Sequence, residues 1–132
     1  MVNTGRLKIE ADEAAHLIWE SPEGYIVSLT IDFLSRPTRR RMTAFGEAGT
    51  LMWDGVDGTV KFERKDGKVT FLKQSTPRDQ MFVDQALAFV NTASGTLDTR
   101  LTTVDDGAKA LAVCDAARTA SLDRMETLVD YR

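Results

Sequence analysis

Alternating positions mark the first part of the chain as strand-forming. Ala15, Leu17 and Trp19 alternate with His16, Ile18 and Glu20, the period of a half-buried strand. Ser21-Pro22-Glu23-Gly24 follows. Pro22 presets φ for the first central position of a type I turn, and Gly24 suits the left-handed position of a bulge. That turn predicts Trp19 opposite Val27, Leu17 opposite Leu29 and Ala15 opposite Ile31, all on one face. A one-residue slip would set them against Ser28 and Thr30, so turn chemistry and hydrophobic pattern agree. Asp57-Gly58 and Asp66-Gly67 predict two more hairpins, because Asp-Gly suits a type I′ turn. With two-residue loops Trp53 faces Phe62 and Phe62 faces Phe71, a row of rings read as core packing rather than a ligand platform.

The period then changes to helical. Thr76-Pro77-Arg78-Asp79 offers a Thr cap, Pro at the first helical position and Asp at the third. Phe82, Ala86, Phe89 and Val90 recur on one stripe behind it. Thr103-Val104-Asp105-Asp106 repeats the cap, and Ala108, Leu111, Cys114 and Ala117 follow, with Ala110 and Val113 widening the stripe. The intervening stretch from Asn91 to Thr103 reads as a loop with a short extended piece at Leu101, and Glu126 to Tyr131 as a last edge strand. A strand-rich front, residues 6–73, and a helical back, residues 76–121, predict an α+β fold. The expected architecture is a largely antiparallel open sheet sharing one core with two helices packed on one face. The other face is left available for dimerisation.

Composition narrows the function classes. The 132 residues suit a single domain, with 17 basic side chains against 20 acidic ones and a net charge of −3. That balance argues against a nucleic-acid partner. No apolar run approaches the ~18 residues that span a bilayer, and the N-terminus lacks a signal-peptide core, so a cytoplasmic location is the expectation. The single cysteine excludes an intramolecular disulfide and a Cys-rich zinc site.

Catalytic motifs are scarce. No phosphate-binding glycine loop and no H-x-x-x-H or C-x-x-C pair occurs. His16, the only histidine, falls opposite Thr30 on the polar face and reads as a surface or interface residue. Cys114 lies on an apolar stripe and reads as a buried, inert thiol. Asp105-Asp106 complement a helix N-terminus. One charged run stands out: Arg36, Arg39, Arg40 and Arg41, four arginines in six positions. Arginine forks match carboxylates and phosphates, so these are candidate contacts to an anion or substrate; a solvated turn or inter-subunit ion pairs is the plainer alternative. On the hairpin face away from the helices, His16, Ile18, Ile26, Ser28, Thr30 and Asp32 mix polar and apolar types. They are candidate interface residues for a homodimer.

Several segments resemble the C-terminal part of oxidoreductases of the glucose–fructose oxidoreductase and inositol dehydrogenase (Gfo/Idh/MocA) type. These are Leu7-Lys8-Ile9, Asp12-Glu13-Ala14, Gly24, Ile31-Asp32-Phe33-Leu34-Ser35-Arg36-Pro37, Phe45-Gly46-Glu47-Ala48-Gly49-Thr50-Leu51 and Trp53-Asp54. Asp79-Gln80-Met81-Phe82 with Phe89, then Val104-Asp105-Asp106-Gly107 with Ala116-Ala117 and Ser121, continue the likeness over nearly the whole chain. The resemblance implies that residues 1–132 form the family's substrate-side and oligomerisation domain, one open sheet face meeting a second subunit. It implies NAD or NADP in a separate Rossmann domain of a full-length relative, and action on a sugar, polyol or related hydroxyl or carbonyl compound.

The departures are specific. The dinucleotide fingerprint, the Glu-Lys-Pro segment with the family's lysine, and its Asp and His spaced four apart do not occur here. His16 does not match that histidine, and no catalytic residue is carried over. The expectation is therefore a truncated or separately retained module, binding no cofactor alone and not catalytic alone. A stand-alone, non-enzymatic dimerisation or small-ligand-binding module is the alternative.

Overall fold

A computed structural model describes residues 1–74 and 76–131, with Arg78 described by its backbone alone. In chain order the elements are β1 (Ala14–Glu20), β2 (Ile26–Asp32), β3 (Arg41–Gly46), β4 (Gly49–Asp54), β5 (Thr59–Arg64), β6 (Val69–Lys73), α1 (Arg78–Ala93) and α2 (Val104–Asp123). The class is α+β with antiparallel, open sheets: β1 pairs β2, and β3-β4-β5-β6 form a meander. These elements fall into two compact units, Met1–Leu34 with Thr102–Arg132, and Ser35–Leu101.

In the first unit the predicted hairpin forms in the predicted register. Trp19 pairs Val27, Leu17 pairs Leu29 and Ala15 pairs Ile31. The turn closes by Gly24 N–H donating to Ser21 O at 2.9 Å and Ser21 N–H donating to Tyr25 O at 2.8 Å. Gly24 has φ +81°, the left-handed conformation the bulge requires. At the other end of the unit, α2 starts with the predicted capping box: Asp106 N–H donates to Thr103 Oγ1 and Thr103 N–H donates to the Asp106 carboxylate. Residues 126–131 do not pair as a strand, contrary to expectation, and Leu101 lies in a bend.

The side of α2 that is partly buried also differs from the predicted stripe. Val113, Ala116, Ala117 and Ala120 are half-buried, while Leu111 is 65% exposed and Cys114 is exposed. The half-buried side of α2 is thus Val113 with small alanines, and the larger Leu111 and the thiol lie outside.

Before β1 the chain closes a loop on a single buried charge. Glu13 is 1% exposed. Its carboxylate accepts from Thr4 N–H at 2.8 Å, from Leu7 N–H at 2.7 Å and from the Thr4 hydroxyl. Val2 meanwhile bridges Ala14 across the edge of β1. Buried carboxylates are tolerated when their lone pairs are filled in this way. The Thr4 hydroxyl, then the Leu7 amide, hold the Glu13 carboxyl below its ordinary 4.5.

In the second unit the aromatic row does not form. Trp53 pairs Val60, Leu51 pairs Phe62, Phe62 pairs Thr70, and Phe71 pairs Lys61. The cause lies in the turns. Asp54 Oδ1 accepts from Val56 N–H at 3.0 Å and Asp57 N–H at 3.1 Å, so the loop after β4 spans four residues rather than two. After β5, Gly67 alone is left-handed, at φ +83°, and Gly67 N–H donates to Arg64 O. This repeats the three-residue turn with a bulge seen at Ser21–Tyr25, and the single extra residue puts Phe71 on the opposite face from Phe62. Gly49 is obligatory for a different reason: at φ +147°, a Cβ there would lie 2.0 Å from Glu63 O.

Helix α1 begins one residue later than expected. Pro77, not Thr76, is the N-cap, and no side chain caps the helix. Asp79 remains in the first turn, where its charge suits the dipole. The expected apolar stripe is largely uncovered, with Phe82 54%, Phe89 68% and Val90 56% exposed; Ala88 is the only buried apolar residue among those described.

Acid should therefore open the N-terminal loop. Because the folded carboxyl of Glu13 is depressed, its stabilising contribution is present above the unfolded value near 4.5 and is lost as pH falls through the lower folded value. Hydrogen exchange at the Thr4 and Leu7 amides is expected to lose protection over that acid window. Glu13→Gln should show weak protection at every pH.

Candidate functional site

The arginine run lies on the approach to β3 in the second unit, and its members go separate ways. Arg41 Nε donates to Asp54 Oδ2 at 2.6 Å across the β3–β4 pair. Asp54 is the same carboxylate that organises the turn after β4, through its other oxygen. The guanidinium of Arg41, with the turn amides, draws the Asp54 carboxyl below its ordinary value. Arg40 stacks over the Trp53 ring, 5.5 Å from its centroid, a cation–π contact. Arg36 Nη1 donates to Ser35 O at 2.8 Å, next to a cis Arg36–Pro37 bond. Arg39 is exposed. Two of the four thus serve β3–β4 and its turn, which is a structural use.

The hairpin face in the first unit matches its expected composition. His16 pairs Thr30 in the strand register, and Thr30 Oγ1 lies 2.7 Å from His16 Nε2. Ile18 is 75% and Ile26 71% exposed, Ser28 and Thr30 are exposed, and Asp32 is half-buried with Oδ1 accepting from Leu34 N–H at 2.7 Å. Local pairing explains the orientation of both polar partners. The isoleucines gain nothing from it.

A groove of about 570 Å³ lies within the same unit, bordered by β1, α2 and residues 126–131. It is lined by Leu17, Trp19, Glu20, Ala117, Glu126 and Tyr131 among others. The Tyr131 hydroxyl is enclosed and has no hydrogen-bond partner among the described residues. Sequence reasoning missed this site because Glu126–Tyr131 was read as a strand. It missed Glu13 because a lone carboxylate in Asp-Glu-Ala carries no sign of burial.

Cys114, expected buried, is exposed on α2. Asp105 and Asp106 occupy the first turn of that helix as expected. Among the described residues no group of three or more His, Cys, Asp and Glu side chains gathers at metal-binding distance. A nicotinamide dinucleotide finds poor support in the groups present. The N-terminus of α2 is filled by the Thr103–Asp106 box and carries two acidic side chains, which repel a pyrophosphate, and α1 starts at Pro77 without a glycine turn. No family model, curated protein or solved structure matches the chain.

Replacing Arg41 by Ala should release Asp54. Its carboxyl is expected to titrate closer to the ordinary 3.8, followed by carboxyl-detected NMR. The turn amides of Val56 and Asp57 should keep the shift incomplete.

Proposed function

We propose that this chain is an assembly domain: the substrate-side and oligomerisation part of an NAD(P)-dependent oxidoreductase acting on a sugar, polyol or related hydroxyl or carbonyl compound, not catalytic alone. The assembly role is supported by one quantity above all. The chain exposes 11405 Å², against about 6,900 Å² for a compact chain of this length. Two separate compact units of half that length would still expose only about 8,300 Å², so the excess does not depend on how the units are disposed. Apolar side chains make up much of it, including Ile18, Ile26, Phe45, Phe71, Phe82 and Phe89. Uncovered apolar surface on this scale supports an interaction role.

The hairpin face carrying His16, Ile18, Ile26, Ser28, Thr30 and Asp32 is the surface assigned to a second copy. The chemical class rests on the resemblance of the segments from Leu7 to Ser121. The nicotinamide cofactor then belongs to a Rossmann domain outside the residues considered, and Arg36, Arg39, Arg40 and Arg41 have at most an accessory part in holding an anionic substrate. The groove beside β1 favours the second reading, a stand-alone dimerisation or small-ligand module, since the residues that line it all belong to one unit.

Sedimentation tests the assembly role. A dimer or larger species is expected at tens of micromolar, and a monomer persisting at high micromolar concentration would overturn the reading. Burying an isoleucine is worth about 1.5–3 kcal/mol, so Ile18→Asp or Ile26→Asp should each raise the dissociation constant at least about tenfold.

A further inference from the structure

We propose that the groove bordered by β1, α2 and residues 126–131 binds a small organic cation, an ammonium or guanidinium carried on an apolar body. This goes beyond the assembly reading and does not rest on it. His16 and Ile18 of the proposed assembly face also border the groove, so binding is measured at concentrations where the chain sediments as a monomer. The volume, about 570 Å³, lies within the ~300–1,000 Å³ usual for small-molecule sites. Leu17 and Trp19 from β1 face it together with Val113 and Ala117 from α2. The alanine side of α2 makes the room: a helix presenting Leu111 there would fill it.

The polar groups set the charge. Glu20 and Glu126 line the groove, and among the described residues no lysine or arginine side chain does. Neither carboxylate has an ion pair or hydrogen bond among the described residues. One positive charge lies among the lining groups: the Met1 ammonium, which donates to the neutral Ser121 Oγ at 3.3 Å, while His16 Nε2 lies against Thr30 Oγ1. Two carboxylates against one ammonium leave the described lining net negative, so a cation is favoured over an anion, and Trp19 lines the same groove.

The probe is benzylammonium, with the isosteric benzyl alcohol and benzoate as controls, titrated into the full 132-residue chain. Trp53→Phe leaves Trp19 as the one indole, and its fluorescence reports binding; ligand-observed saturation-transfer NMR on the unsubstituted chain gives a readout that needs no variant. Saturable binding of benzylammonium, at least tenfold tighter than the alcohol and with no binding of benzoate, is the expected result. The double variant Glu20→Gln, Glu126→Gln should weaken it at least tenfold, with circular dichroism unchanged. Equal affinity for amine and alcohol, absence of saturation, or an unaffected double variant would overturn the proposal. Such a failure leaves the sedimentation result untouched, so the two readings fail separately.

Discussion

The ladder between Ala14–Glu20 and Ile26–Asp32 decides where every candidate residue of the first unit lies. Its register is held by the Ser21–Tyr25 turn, in which Gly24 takes a conformation that other residues resist. Because side chains alternate across a strand, that one turn sends Leu17, Trp19 and Val27 to one face and His16, Ile18, Ile26 and Thr30 to the other. A slip of one residue would exchange the two faces, and with them the proposed interface. Glu13 sits where this ladder begins, and Phe33 N–H donates to its carbonyl at 3.0 Å. Glu13 thereby holds the N-terminal loop through its carboxylate and the end of β2 through its carbonyl.

Hydrogen-bonded pairing outweighs side-chain burial in both units. A hairpin in water is marginal unless a further element covers a face, and here Ile31 remains 54% and Leu29 36% exposed. In the second unit the central strands β4 and β5 are half-buried, while the edge strands β3 and β6 are exposed along their length. Burial of apolar area is the dominant favourable contribution to folding, so surface left uncovered to this degree weakens each unit on its own. On the proposed assembly, a second copy would supply that cover. Oligomers that need each other in this way tie their stability to concentration.

The sequence reveals local geometry better than it reveals packing. The first hairpin was readable because Pro22 and Gly24 specify a turn and the apolar pattern independently demands the same register. The α2 box was readable because Thr103 and Asp106 are a reciprocal donor–acceptor pair at fixed spacing. Asp57-Gly58 and Asp66-Gly67 misled because the Asp-Gly signal presumes two left-handed residues, whereas each turn uses one and recruits Asp54 or the Arg64–Lys68 bulge instead. The arginines looked like a site because charge density is visible in sequence, while the partners that absorb Arg40 and Arg41, Trp53 and Asp54, are brought in only by strand pairing. Helix faces were the least readable. Alanine and leucine are both apolar, and which of them turns inward on α2 depends on the space available.

The central claim is that this chain leaves unburied a large share of the surface a free-standing domain would hide. The heat capacity change of unfolding measures that share directly, since it scales with the area exposed on unfolding. Calorimetry on the chain held dilute enough to sediment as a monomer should give about two-thirds of the ordinary 12–15 cal/mol/K per residue. The full ordinary value in the monomer would contradict the account.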